Sequence, residues 1–198
     1  MLAEVKILGL SLVLISICHC YAQSNCNVST FPVKENFNKT RYLGRWYAMA
    51  KKSPDSIFLE DNIYADFAQD DQGFMNATAR GRVTLLENWP TCVQMLGKFL
   101  ETSNPAKFKL KYRGALHYLQ SGFDDHWVID TDYDTFAITY TCRQLNDDET
   151  CADSYSLVFS RDPKGIPPGV HGIIRQRQGQ ICLANKYGRV RHEGLCLV

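Results

Sequence analysis

Hydrophobic and polar residues alternate with a period of two along most of the chain, which is the pattern of β-strands that bury one face. The run Lys107–Arg113 is the clearest example, because Phe108, Leu110 and Tyr112 share one face and cations occupy the other. Further strand-like runs cover residues 44–51, 63–67, 75–80, 91–100, 125–130, 136–142 and 154–159. The pattern therefore predicts about eight strands, separated by turn segments such as Asp71-Gln72-Gly73.

One helix is predicted near the C-terminus. Ile166-Pro167-Pro168 provides prolines at a helix start, and Val170, Ile173 and Ile174 follow at helical spacing, although two glycines interrupt them. The chain has no internal repeat or linker, so a single domain is expected. We predict an all-β fold: an eight-stranded antiparallel up-and-down β-barrel with one C-terminal α-helix packed outside.

The faces predicted to point into the barrel combine small and large apolar side chains. The small ones are Ala65, Ala77 and Ala79, and the large ones are Phe67, Met75, Leu110, Tyr112 and Leu157. A small barrel is either filled by its own side chains or encloses one ligand. Small inward residues leave volume that a core avoids leaving empty, which favours a ligand cavity over a filled barrel. No charged residue alternates onto these faces, so a neutral apolar ligand is expected.

Three turn segments carry exposed apolar residues: Ile57-Phe58-Leu59, Leu85-Leu86 with Trp89, and Tyr118-Leu119. Apolar loops mark a ligand entrance or a partner surface, or they fold back onto the core. Three such segments together favour an entrance rim.

The N-terminus has the layout of a cleaved signal peptide. The apolar run from Ile7 to Ile17 is shorter than the roughly 20 residues that a membrane-spanning helix needs. Small residues precede a cut after Ala22, so residues 1–22 are predicted to be removed and 23–198 to form a secreted, extracellular domain. A membrane anchor is the alternative interpretation of this segment.

The cysteine content fits export. Six cysteines follow the predicted cut, which indicates three disulfides: Cys26, Cys92, Cys142, Cys151, Cys182 and Cys196. Cys142 and Cys151 flank the turn-rich segment Asn146-Asp147-Asp148, so a bridge that closes a hairpin is plausible, whereas the other pairings stay open. No paired Cys or His spacing points to zinc, and no metal is expected. Possible glycosylation sequons begin at Asn27, Asn38 and Asn76.

The charge balance and the motifs exclude several classes of function. The chain has 22 Lys and Arg against 21 Asp and Glu, so no long-range field points to nucleic acid. It lacks a Gly-x-Ser-x-Gly elbow, a His-Glu-x-x-His pair and a phosphate-binding glycine loop. We therefore expect a binding protein without a cofactor rather than an enzyme.

Three segments resemble the signature motifs of the lipocalin family. Residues 36–47, with Gly44-Arg45-Trp46, resemble the first motif, Thr131-Asp132-Tyr133-Asp134 the second, and Arg161 the third. In that family the arginine packs over the tryptophan and closes the barrel floor by a cation–π contact. The resemblance implies the same arrangement here.

Within the family the chain is similar to the retinol-binding branch, which includes the purpurins. The similarity is carried by residues 46–52, Asp124-Asp125-His126-Trp127, residues 130–135 and residues 151–156. It implies an extracellular carrier that transports retinol (vitamin A alcohol) in the barrel cavity. It also implies the bridges Cys26–Cys182, Cys92–Cys196 and Cys142–Cys151.

The resemblance further implies a retinol-binding set. The ring would lie among Phe67, Ala77, Ala79, Met95, Phe99, His126 and Tyr155, near Ala65 and Leu157. The polyene would pass Met75, Leu110 and Tyr112, and the hydroxyl would lie at the mouth by Phe58, Leu59 and Gln120. A neutral amide such as that of Gln120 can serve an alcohol as donor or acceptor. His126 is expected to be a neutral wall of the cavity.

The resemblance also raises the question of partners. Transthyretin would bind the entrance residues Leu85, Leu86, Trp89, Tyr118 and Leu119, but Arg113 and Ser121 stand where the branch has tryptophan and lysine. A cell-surface retinoid receptor is a further possible partner. The purpurin-like alternative is a secreted adhesion protein that also binds retinol. It would bind a heparin-like glycan through Lys107, Lys109, Lys111, Arg113, Arg175 and Arg177. A solvated basic strand face explains the same pattern.

Overall fold

The computed structural model describes residues 26–54, 58–86, 88–114, 117 and 120–196. The predicted signal peptide, Ile57, Tyr118 and Leu119 lie outside the described residues.

Eight long strands form the body of the protein. They are β1 Gly44–Lys52, β2 Asp61–Gln69, β3 Met75–Leu85, β4 Trp89–Glu101, β5 Lys107–Arg113, β6 Asp124–Thr131, β7 Phe136–Leu145 and β8 Cys151–Ser160. Each strand pairs antiparallel with the next, and β1 pairs with both β2 and β8. The sheet therefore closes on itself, and the predicted up-and-down barrel is confirmed. A short additional strand, β9 Gly188–Arg189, pairs with β1.

Two helices accompany the barrel in the described part of the chain: α1 Lys39–Tyr42 and α2 His171–Gln180. Helix α2 begins after a 3-10 turn at Pro168–Val170, a few residues later than the prolines predict. Ile174 is its buried apolar contact, whereas Ile173 is 42% exposed. Arg177 Nε donates to Asp130 Oδ2 of β6 at 2.8 Å and thereby ties the helix to the barrel.

Strands β6 to β8 bury both faces, and this divides the core in two. On β8, Leu157 and Phe159 point into the barrel, whereas Val158 packs with Ile174 between the barrel and α2. On β7, Ala137 faces the inner core and Ile138 the outer one. Alternate residues of one strand thus serve two apolar compartments, which is why β7 and β8 contain one charged residue each, Arg143 and Asp153.

The barrel floor is closed by Arg161 and Trp46. The guanidinium carbon lies 3.8 Å from the centre of the indole ring, and Trp46 is fully buried. Arg161 also donates to five backbone carbonyls at 2.8 to 3.4 Å, those of Arg41, Tyr42, Leu43, Arg45 and Tyr133. Gly44 has φ +94°, and a Cβ there would lie 3.2 Å from Arg161 Nη1, so this position requires glycine.

Three disulfides fasten the termini and one hairpin. They are Cys26–Cys182, Cys92–Cys196 and Cys142–Cys151, the pairs that the resemblance implies, with Cα–Cα separations of 5.6 to 5.9 Å. None of the helices in the described ranges is long and apolar enough to cross a membrane.

Candidate binding cavity

An apolar cavity occupies the barrel interior below the open end. Its wall includes thirteen of the predicted ligand residues: Phe58, Leu59, Ala65, Phe67, Ala77, Ala79, Met95, Phe99, Leu110, Tyr112, His126, Tyr155 and Leu157. The free volume is about 70 Å³, which is room for a few water molecules. A larger ligand therefore has to displace wall side chains as it enters.

Aromatic side chains narrow the cavity near its mouth. The hydroxyls of Tyr112 on β5 and Tyr155 on β8 are hydrogen-bonded at 2.5 Å. The Phe58 ring lies 4.9 Å from the Tyr155 ring, centre to centre. Lys51 holds this segment by donating to the Leu59 carbonyl. Phe58 and the tyrosine pair are therefore the groups that an incoming ligand meets first.

His126 contributes a polar but uncharged group to the wall. Its Nδ1 is 2.8 Å from Thr141 Oγ1, and its ring meets Phe99 edge-on at 5.0 Å. Burial lowers the pKa of His126 to about 3, because the imidazolium would lose its hydration. Its Nε2 has no hydrogen-bond partner among the described residues. The side chain is therefore neutral at physiological pH.

Met75 and Gln120 stand outside the cavity wall, although the resemblance places both near the ligand. Met75 is fully buried in the inner core, where β3 and β4 bring it opposite Phe99. The Gln120 amide is hydrogen-bonded to the β5 backbone. It accepts from Tyr112 N at 2.9 Å and donates to the Leu110 carbonyl at 2.8 Å. In this structure Gln120 fixes the strand beside the mouth rather than facing the ligand space.

The cavity wall also includes Ile63, Gly97 and Phe159, which the resemblance does not name. The sequence signal was present, because each lies two residues from a predicted wall residue on the same strand. Gly97 matters sterically, since a Cβ there would lie 2.8 Å from Leu110 Cδ1 and would push that side chain aside.

Asp124 is a buried carboxyl at the open end of the barrel that the sequence analysis did not include among the site residues. Asp124 alternates with His126 on β6 and is 1% exposed. Arg143 Nε lies 4.0 Å from Asp124 Oδ2. Burial raises the pKa of Asp124, and a hydrogen bond from Gln120 and the nearby Arg143 oppose that rise. The expectation of uncharged inward faces concerns strands β2, β3, β5 and β8, so Asp124 on β6 is an addition to it.

The predicted entrance rim is exposed where the structure describes it. Leu86 is 87% and Trp89 62% exposed at the β3–β4 turn, and Leu85 is half-buried. Phe123, at 50%, adds an apolar side chain that the sequence reasoning did not include. Arg113 at the end of β5 and Ser121 in the β5–β6 connection are both exposed.

Most of the cations in the predicted glycan-binding set have internal partners. Lys109 pairs with Asp125 at 2.6 Å, Lys107 Nζ lies 3.6 Å above the Trp127 ring, and Lys111 donates to the Gly122 carbonyl. Arg177 is held by Asp130. Arg113 and Arg175 remain exposed without a charged partner among the described residues.

The three sequon asparagines differ in their surroundings. Asn38 is exposed, and its Oδ1 accepts from Arg41 N as the cap of α1. Asn27 and Asn76 are partly buried, and their amides donate to the carboxylates of Glu149 and Asp70.

The sequence matches the lipocalin / cytosolic fatty-acid binding protein family over residues 43–172. Retinol-binding protein 4 of Gallus gallus is 59% identical over 88% of this chain and 89% of its own length. Retinol-binding protein 4-A of Oncorhynchus mykiss is 52% identical over 87% of this chain and 98% of its own length. Purpurin of Gallus gallus is 46% identical over 86% of this chain and 88% of its own length.

Solved structures share the fold at much lower sequence identity. Apocrustacyanin C2 has a TM-score of 0.62 at 17% identity, covering 80% of this chain and 81% of its own. Apocrustacyanin C1 has a TM-score of 0.59 at 16% identity, covering 80% of this chain and 82% of its own.

Proposed function

Because this chain belongs to the lipocalin / cytosolic fatty-acid binding protein family, we propose that it is an extracellular carrier of retinol and not an enzyme. The observation that carries the proposal is the cavity wall, which is apolar and contains one neutral histidine, His126. The relatives named retinol-binding protein 4, at 52 to 59% identity, favour retinol over other apolar molecules.

Burial of hydrocarbon supplies the binding free energy, at roughly 0.8 kcal/mol per CH₂ group. The ring of retinol lies among Ala77, Ala79, Phe99 and His126, and the polyene runs past Leu110 towards the mouth. A carboxylate at the ring end would be buried without a cation, so the polar end of the ligand belongs at the open end.

The alcohol lies near Phe58 and Leu59 in this proposal. Gln120 is bound to the β5 backbone and does not line the cavity, whereas the hydroxyls of Tyr112 and Tyr155 already lie in the wall. Rotation of Phe58 away from Tyr155 and separation of the tyrosine pair would open the narrow cavity for the ligand.

Secretion is part of the proposal. Three disulfides persist in oxidising compartments, which supports an extracellular location. We infer that residues 1–22 are removed as a signal peptide and that 23–198 act as one domain. A transthyretin-like partner or a retinoid receptor would bind the rim around Leu86 and Trp89. The glycan-binding alternative is less favoured, because most of its cations are already paired.

Identification of the natural ligand tests the proposal. The protein is secreted from cells supplied with both retinol and oleate, purified without detergent and extracted with organic solvent. Chromatography of the extract is expected to show close to one retinol per chain. An extract that contains oleate and no retinol would overturn it.

A further inference from the structure

A second concave site lies outside the barrel, on the far side of its wall. It is a groove of about 880 Å³ between helix α2, strand β1, the segment after β8 and the C-terminal segment around β9. We call it the basic groove. Val158 lines it, whereas the adjacent residues Leu157 and Phe159 line the retinol cavity. The two sites share one strand as a wall and do not share a lining residue in the described part of the chain.

The floor of the basic groove is apolar. Val158, Ile174 and Val190 lie at its base and are almost fully buried, so the apolar surface that a ligand can reach there comes mainly from Met49 and Ala50 of β1, which are partly exposed. Helix α2 and the C-terminal segment are held in place independently of any occupant, because Arg177 binds Asp130 and Val190 N donates to the Met49 carbonyl. The groove is therefore built by the fold and does not depend on a flexible loop.

The rim carries an excess of positive charge. Lys164 follows β8, Arg175 lies on α2, and Arg189 lies on β9, so three separate elements each contribute an exposed cation. None of the three has an acidic partner among the described residues. A fourth cation, Arg191, lies 3.6 Å from Glu193, but both side chains are about 70% exposed, so this pair is weak.

This distribution contrasts with the rest of the surface. Cations elsewhere are mostly paired, as Arg45 is with Asp66 and Arg82 with Asp61. Unpaired cations that surround an apolar floor are complementary to a ligand that is both acidic and apolar. Because these cations lie on three different elements, they suit a ligand with several separate anionic groups better than one with a single anionic head group. A sulfated glycan supplies several anions but has no apolar side chain to cover the floor.

We propose that the basic groove binds an acidic peptide segment of a partner protein, with carboxylates on the cationic rim and apolar side chains on the floor. Because the groove is separated from the barrel interior by β1 and β8, the partner and retinol can be bound at the same time. This inference does not depend on the identity of the barrel ligand.

A fluorescein-labelled peptide of alternating glutamate and leucine tests the proposal by fluorescence anisotropy with the full secreted protein at physiological salt. We expect saturable binding to one site. The variant Arg175→Glu/Arg189→Glu should weaken it at least about tenfold. Lys186→Glu, which changes an exposed cation outside the groove, should leave it unchanged. Retinol binding and the melting temperature should be the same in all three proteins, which shows that they are folded.

A second peptide, with serine in place of leucine, tests the apolar floor and should bind about tenfold more weakly. No saturation, equal affinity for the two peptides, or equal affinity in the double variant would each overturn the proposal. Oleate or a heparin oligosaccharide that binds more tightly than the peptide, and is lost in the same double variant, would assign the groove to another occupant and would also overturn it.

Discussion

The hydroxyl oxygens of Tyr112 and Tyr155 lie 2.5 Å apart across the mouth of the barrel cavity. Both rings line the cavity, and burial raises the pKa of each phenol, so both stay protonated. Tyr155 is also hydrogen-bonded to Thr141, which in turn contacts His126. A chain of hydroxyls thus connects the mouth to the middle of the wall and restrains the two strands, β5 and β8, that a ligand must pass.

Removal of one hydroxyl tests this restraint. Tyr112→Phe should accelerate retinol association several-fold, because the rings at positions 112 and 155 can then move apart without breaking a hydrogen bond. The stability cost should be about 1 kcal/mol, since Tyr155 keeps its bond to Thr141. Stopped-flow fluorescence and urea unfolding give the two quantities. Tyr155→Phe should be the more costly variant, because it removes two hydrogen bonds, those to Tyr112 and Thr141; the reverse order would contradict this account.

A larger side chain in the wall should block the ligand without unfolding the protein. Ala77 lines the cavity, and Ala77→Leu would occupy the space expected for the ring, so retinol affinity should fall at least about tenfold. Ala68→Leu is the matched control, because Ala68 is exposed on the neighbouring strand β2 and should leave affinity unchanged. Retinol titration of both variants, with melting temperatures alongside, separates a blocked cavity from a damaged fold. Unchanged affinity in Ala77→Leu would place the ligand elsewhere.

The floor should contribute strongly to stability. Arg161→Met loses the contact with Trp46 and removes the guanidinium donor from five backbone carbonyls, so we expect a loss of about 3 kcal/mol in the free energy of unfolding. Arg41 also packs on an aromatic ring, that of Tyr133, but it is exposed. Arg41→Met should therefore cost less than about 1 kcal/mol. Similar losses in the two variants, measured by urea unfolding, would show that the floor arginine has no special role.

The buried histidine predicts a pH dependence of stability. The pKa of His126 is about 3 in the folded protein and is near its usual value of 6.5 in the unfolded chain. The unfolded chain therefore takes up the proton first, and stability falls as the pH decreases from about 6.5 towards 3. Unfolding free energies between pH 7 and 4 should fall less steeply for His126→Gln than for the parent. His117→Gln, at an exposed position, should keep the parent slope. Equal slopes in all three proteins would contradict the prediction.

The barrel was predictable because alternation determines which side of a strand is buried. Ala65, Phe67 and Leu157 reach the cavity wall for that reason alone, and the same rule applied one step further along each strand finds Ile63 and Phe159. The rule also places Asp124 on the inner face of β6, the face that carries His126.

Loop geometry was not predictable in this way. Gln120 lies in a connection without periodicity, and nothing in the sequence indicates that its amide binds the β5 backbone. The basic groove depends on β9, a strand of two residues that pairs with β1 in a C-terminal segment held by the Cys92–Cys196 disulfide and by the bond of Val190 N to the Met49 carbonyl. Such long-range contacts leave no local pattern. The alternation of hydrophobic and polar residues also does not determine side-chain rotamers. The rotamers at the mouth, which reduce the free volume of the cavity, were therefore not predictable.

A fluorescence titration with retinol tests the central claim most directly. Retinol absorbs where tryptophan emits, so binding inside the barrel should quench the emission of the protein, which has three tryptophans in its sequence, and the change should saturate at one equivalent. Oleate in excess should displace little of the bound retinol. A flat titration, or complete displacement by stoichiometric oleate, would contradict the proposal that the cavity is a retinol site.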